Sequence, residues 1–213
     1  MSSISIVDHE LPDDSHNIYD VTFYEHQILT LVTHSPSMVD SWISEIERIH
    51  RRSIVGFDVE WRPNFQRNQD NPVATLQLCV GRRCLVFQLI HSPNIPRSLV
   101  NFLLNQNYTF VGVGINKDIE KLEEDYNIRV GNRVDLRGLA ADALETVGLR
   151  NAGLKSLSKE VLGLEISKPK KITMSRWDYQ WLSAAQIQYA CLDAFVSFEI
   201  GRTLNAANPS PSS

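Results

Sequence analysis

The chain has few cysteines, no long apolar run and no surplus of positive charge, and each shortage removes a class of protein. Three cysteines occur in 213 residues: Cys79, Cys84 and Cys191. Their number is odd and none forms a C-x-x-C pair, so neither a disulfide framework nor a paired-cysteine metal site is written here. Cys79 and Cys191 lie in apolar surroundings, which reads as reduced thiols in an intracellular protein. No apolar stretch approaches a membrane span. The first residues, "MSSISIVDHELPDDSH", have neither the basic start nor the apolar segment of a secretory signal. The formal net charge is −4, so any role on nucleic acid must rest on a local basic patch. The six histidines, at 9, 16, 26, 34, 50 and 91, show no zinc spacing and no evident triad. Gly112-Val113-Gly114 follows a strand pattern, but Lys117 stands where a dinucleotide fingerprint needs its third glycine.

What is present is 43% hydrophobic side chains, enough for one domain with a full core. Residues 1–16 and 205–213 are polar or rich in Pro and Ser and read as flexible ends around a single domain over 17–204. Strand patterns cover 17–24, 27–33, 54–61, 73–80, 83–89 and 108–114, with a short one at 134–136. Helical periodicity covers 36–50, a short segment after Pro96, 116–126, 137–147 and 153–162. Ser183 and Gln186 form a capping box that opens a last helix running to about Leu204. Antiparallel strands come first, then alternating helix and strand, then helices. The pattern predicts an α/β domain: a mixed sheet of five to six strands flanked by helices.

Two segments break the rules of a core. "IVGFDVEW" (54–61) reads as an interior strand, yet Asp58 and Glu60, two apart, share one face of it. The bland explanation is an edge strand with a solvated face. The last helix is apolar on two sides, and Asp193 sits on one of them, one turn beyond Tyr189. It could be a hydrogen-bonded core acid. Asp118 falls in the first turn of its helix, where the macrodipole alone favours an acid. Taken together, the four carboxylates offer the hard oxygen ligands that a divalent cation requires, and bound cations would let like charges sit side by side.

The segments "FDVEW", "ATLQLCV", "VGVGINKDIEKL", "LKSLSKEVLG" and "RWDYQWLSAAQIQYACLDA" resemble the signature regions of the DEDD exonuclease superfamily. The nearest likeness is to the Werner-type 3′–5′ exonucleases, with ribonuclease D more distant, and it spans about Tyr19 to Leu204. The resemblance implies a ribonuclease-H-like fold and two Mg²⁺ ions, with Mn²⁺ able to substitute. It implies that Asp58 would bridge both ions and that Glu60 and Asp193 would complete the shell of the first. Asp118 would hold the second ion, mostly through water, and Tyr189 would orient the attacking water. A subclass with a general-base histidine would need that residue where Gln188 stands, so the tyrosine subclass is implied.

The expected activity is stepwise removal of nucleoside 5′-monophosphates from 3′ ends, of DNA rather than RNA. An RNA exonuclease, or a silent nucleic-acid-binding module of the same fold, is the alternative. Substrate contacts are expected from Val59 and Glu60 through their backbone, from Trp61 by stacking, and from Lys168, Lys170, Lys171 and Arg176 by gripping phosphates. Each has a plainer reading: a core or rim tryptophan for Trp61, a solvated loop for the cations. Nothing in the sequence suggests a membrane partner. A stand-alone nuclease module, in the nucleus rather than the cytoplasm, is the expectation.

Overall fold

The structure, a computed structural model, describes residues 4–208 apart from 13, 65, 67 and 68. Its strands are β1 Ile4–Asp8, β2 His16–Phe23, β3 His26–Thr33, β4 Ser53–Trp61, β5 Val73–Val80, β6 Arg83–Phe87, β7 Tyr108–Gly112 and β8 Arg133–Asp135. The helices are α1 Pro36–Ile49, α2 Arg97–Leu104, α3 Ile115–Tyr126, α4 Leu136–Ala143, α5 Leu154–Leu157, α6 Lys170–Thr173 and α7 Ala184–Thr203. All eight strands form one sheet in the order β1-β2-β3-β6-β5-β4-β7-β8.

Strand composition sets position in that sheet. β5, "VATLQLCV", is buried along its whole length and lies between β6 and β4. The β5–β6 pair is closed by Gly81, whose φ of 59° suits the tight turn. β4 pairs antiparallel with β5 and parallel with β7, so it lies inside the sheet and the edge-strand explanation of its acids fails.

Four features differ from the sequence reading. The sheet has eight strands, not five to six: the short pattern at 134–136 joins it as one edge, and the five residues of β1, too few to carry much periodicity, form the other. Residues 4–8, read as part of a flexible end, pair with β2 from Ile4↔Phe23 to Asp8↔Tyr19. Ile4 and Ile6 of β1 pack on the core, and β2 supplies the open edge that "ISIVD" needs. Parallel pairing also appears early, between β3 and β6. At the other end, Ala206 is buried, so the last turn at 205–208 packs down; residues 209–213 lie outside the described residues.

The sheet has a core on each side. One contains Trp42, Ile46, Phe57, Phe102, Phe110 and Leu122, beneath α1, α2 and α3. The other gathers Val21, Phe23, Val111, Trp177 and Phe195 around α7. Fourteen of the twenty residues of α7 are buried, as expected for a helix apolar on two sides. No helix among the described residues is long and apolar enough to cross a membrane.

Candidate active site

The acid cluster exists because α7 lies almost on the backbone of β4. A Cβ on Gly56 would fall 1.9 Å from the carbonyl oxygen of Ala194, so only glycine permits the approach. Gly56 and Asp58 share a strand face, and Asp193 precedes Ala194 on the helix. The contact therefore delivers Asp193 to Asp58. One carboxylate oxygen from each of Asp58, Glu60 and Asp193 lies within 4.8 Å of the others. A register shift between Glu60 and Trp61 bends β4 just beyond the cluster.

Asp118 stands outside that triplet, but its charge acts on both Asp58 and Glu60. It rides the first turn of α3, whose N-cap Gly114 has φ 73°, a left-handed conformation that favours glycine. The connection from β7, the parallel neighbour of β4, starts that helix beside the cluster.

The electrostatics are those of acids crowded without a cation. Burial, then the charges of Asp193, Glu60 and Asp118, hold the Asp58 carboxyl well above the usual carboxylate range. Burial and Asp193 do the same to Glu60. Burial raises Asp193, opposed by Lys168, and burial raises Asp118 to about 7. Oδ2 of Asp58 is buried without any hydrogen-bond partner, an arrangement that is costly unless something positive meets it.

Lys168 supplies the positive charge seen there. Its Nζ lies 2.5 Å from Oδ2 of Asp193 and 5.3 Å from the centre of the Tyr189 ring. The Tyr189 phenol is near enough to Asp193 to hold its carboxyl down, and its ring meets that of buried Trp177 at 6.0 Å. Burial first, then the charges of Asp193, Glu60 and Asp58, push the Tyr189 phenol far up. It stays protonated and can donate.

The residues expected to touch substrate are placed unevenly. The Val59 side chain is buried in the opposite core, leaving only its backbone available. Trp61 is half-buried against the same core, with Nζ of Lys121 5.6 Å from its ring centre. Lys170 and Lys171 are exposed on α6, while Lys168 reaches the acids. Arg176 is engaged by Asp178, at 2.7 and 2.9 Å. Sequence reasoning named Lys168 only as a phosphate grip. No spacing rule could bring a loop lysine to acids on β4 and α7.

Residues 32–207 match the family model described as 3′–5′ exonuclease. The chain belongs to the 3′–5′ exonuclease family. Over 154 residues, 71% of this chain, it is 36% identical to a protein of Arabidopsis thaliana named 3′-5′ exonuclease. Over 158 residues it is 32% identical to the Mus musculus bifunctional 3′-5′ exonuclease/ATP-dependent helicase WRN. The chain spans about half of the first relative (52%) and 11% of the second.

The exonuclease domain also has solved structural neighbours. The EXO domain of Nibbler from Aedes aegypti superposes with a TM-score of 0.68 at 20% identity, over 83% of this chain and 87% of that one. Escherichia coli RNase D superposes with a TM-score of 0.65 at 18% identity, over 79% of this chain and 43% of that one. The fold is the ribonuclease-H-like one that the sequence resemblance implied. Three clustered carboxylates and an orphaned buried oxygen on one of them fit a divalent-cation site.

Proposed function

We propose that this exonuclease domain hydrolyses the terminal phosphodiester of a polynucleotide 3′ end and releases nucleoside 5′-monophosphates. The observation that carries the reading is the convergence of Asp58, Glu60 and Asp193, with Asp118 in their field. These four side chains would hold two Mg²⁺ ions, with Mn²⁺ able to replace them. When bound, such cations acidify a water and neutralise charge that builds up on the phosphate.

The chain's own residues do the rest. Asp58 would offer the cations an oxygen that has no hydrogen-bond partner. Tyr189, kept protonated, is an aiming group for the attacking water rather than a base. Its ring packs against that of Trp177, and its phenol sits in the field of Asp193. Lys168 offsets part of the acids' charge and would present its ammonium to a phosphate brought to Asp193. DNA is the expected polymer, carried over from the Werner-type resemblance.

The test is mononucleotide release from 5′-labelled DNA and RNA strands, with Mg²⁺ or a chelator. Asp193→Ala is expected to abolish release, and Tyr189→Phe to lower kcat by about 10²-fold, the lower range for a positioned proton-handling group. Full activity of Asp193→Ala, or release that survives the chelator, refutes the proposal.

A further inference from the structure

Two large aromatic side chains stand in solvent on the segment between Lys168 and α7. Tyr179 is 53% exposed and Trp181 59%, within the segment that leads into α7. Isolated exposed aromatics are ordinary on a protein surface. These two differ because the backbone that carries them is fixed. Nε2 of Gln88 donates to the carbonyls of Tyr179 and Gln180, at 3.3 and 2.8 Å. His91 donates to the carbonyl of Asp178 at 2.9 Å. Nε2 of Gln186 donates to Oγ of Ser175 and to the carbonyl of Arg176, at 3.0 and 3.3 Å. The rings are held outward by a braced loop.

The segment is tied to the acid site through a chain of charges. Arg62 follows Glu60 by two residues, and its Nη1 lies 3.6 Å from Oδ2 of Asp178. Asp178 fixes Arg176, whose guanidinium lies 4.3 Å from the centre of the Tyr179 ring. Arg62, Asp178, Arg176 and Tyr179 thus form a linked row that starts two residues after Glu60, and Trp181 continues the segment beside His34 and Gln88. Residues 166–182 carry four cations, Lys168, Lys170, Lys171 and Arg176, against the single acid Asp178. The chain as a whole is acidic, at −4. Local charge here complements a phosphate backbone, and the aromatic faces complement bases.

We infer that Tyr179 and Trp181 form a stacking platform for the single-stranded nucleotides that precede the one being removed. The inference rests on the nuclease reading of the acid cluster. Arg176 and Arg62 would neutralise the phosphates between stacked bases, while the rings hold the bases without reading their identity. The platform selects for unpaired strand, because paired bases keep their faces stacked on one another.

Two measurements separate this inference from the nuclease reading. The first compares kinetics on a dinucleotide and on a longer single strand with the same 3′ end. Tyr179→Ala with Trp181→Ala is expected to raise KM for the long strand about tenfold and leave the dinucleotide unchanged, since stacking is lost only beyond the site. The paired Phe substitutions should restore the long-strand KM and the paired Leu substitutions should not. An unchanged long-strand KM, equal losses on both substrates, or rescue by Leu overturns the platform. The second is direct binding of the long strand to Asp193→Ala protein, followed by tryptophan fluorescence. Trp42 and Trp177 are buried and Trp61 is half-buried, so the test is run on a Trp61→Phe background, where quenching that disappears in Trp181→Leu supports the platform whether or not hydrolysis occurs. Binding without quenching, or with affinity indifferent to Trp181→Leu, overturns it. Loss of hydrolysis in the wild type with quenching intact would fell the nuclease reading alone.

Discussion

Asp58 has no good reason to be where it is if only stability is considered. It is half-buried, three other acids act on it, and its buried Oδ2 has no hydrogen-bond partner. Groups of this kind cluster at functional sites, where stability is given up for chemistry. Replacing it with asparagine keeps the shape and removes the repulsion. Asp58→Asn is therefore expected to raise the metal-free melting temperature by roughly 2–4 °C, the shift that about 1 kcal/mol gives in a chain this size, and to abolish nuclease activity. Calorimetry in chelator and a release assay check both halves; a variant less stable than wild type in chelator contradicts the argument. The i, i+2 carboxylates of a strand and the acid on a doubly apolar helix were visible in the sequence because each violates a local rule. Lys168 was visible only as a charge. Its position against Asp193 depends on how the 164–169 connection folds back, which no local pattern encodes.

At the scale of elements, the site depends on how closely α7 approaches β4. Gly56 is the point of contact. A methyl group there collides with backbone, which cannot rotate away, so Gly56→Ala must push the helix off the strand. The expected cost is about 1–3 kcal/mol, the usual range for overpacking a core. Asp193 moves with the helix, so the thermal stabilisation given by Mg²⁺ should shrink in the same variant. Melting curves with and without Mg²⁺ test this; a variant as stable and as responsive to Mg²⁺ as wild type excludes the close approach as the organising contact. Most elements were legible because their periodicity is strong: α1, α2, α3 and α7 lie close to their expected bounds, as do β2 to β7. β1 and α6 were missed. The first draws its order from an edge that β2 offers, and the second is a single turn after Pro169.

The whole molecule carries a consequence of the raised carboxyls. In the metal-free fold they keep protons that the unfolded chain releases near pH 4. The fold then binds more protons than the unfolded chain, and its stability falls as pH rises. The contribution is complete below the ordinary carboxylate pKa and is lost as pH passes through the folded values, about 7 for Asp118. Metal-free protein should therefore melt at a lower temperature at pH 8 than at pH 6, and saturating Mg²⁺ should flatten or reverse that slope by favouring the ionised acids. A metal-free melting temperature that climbs across this interval contradicts the assignment. The charge on the segment before α7 is opposite to that of the whole: the chain is acidic, yet Lys168 meets Asp193 and Arg62 meets Asp178 there.

The account stands or falls on whether the gathered carboxylates hold divalent cations. Calorimetric titration of the metal-free protein with Mn²⁺ measures this directly. Two bound ions per chain, with binding lost in Asp58→Ala, is the expected result. Mn²⁺ binding that is absent from the wild type, or undiminished in Asp58→Ala, would contradict the account.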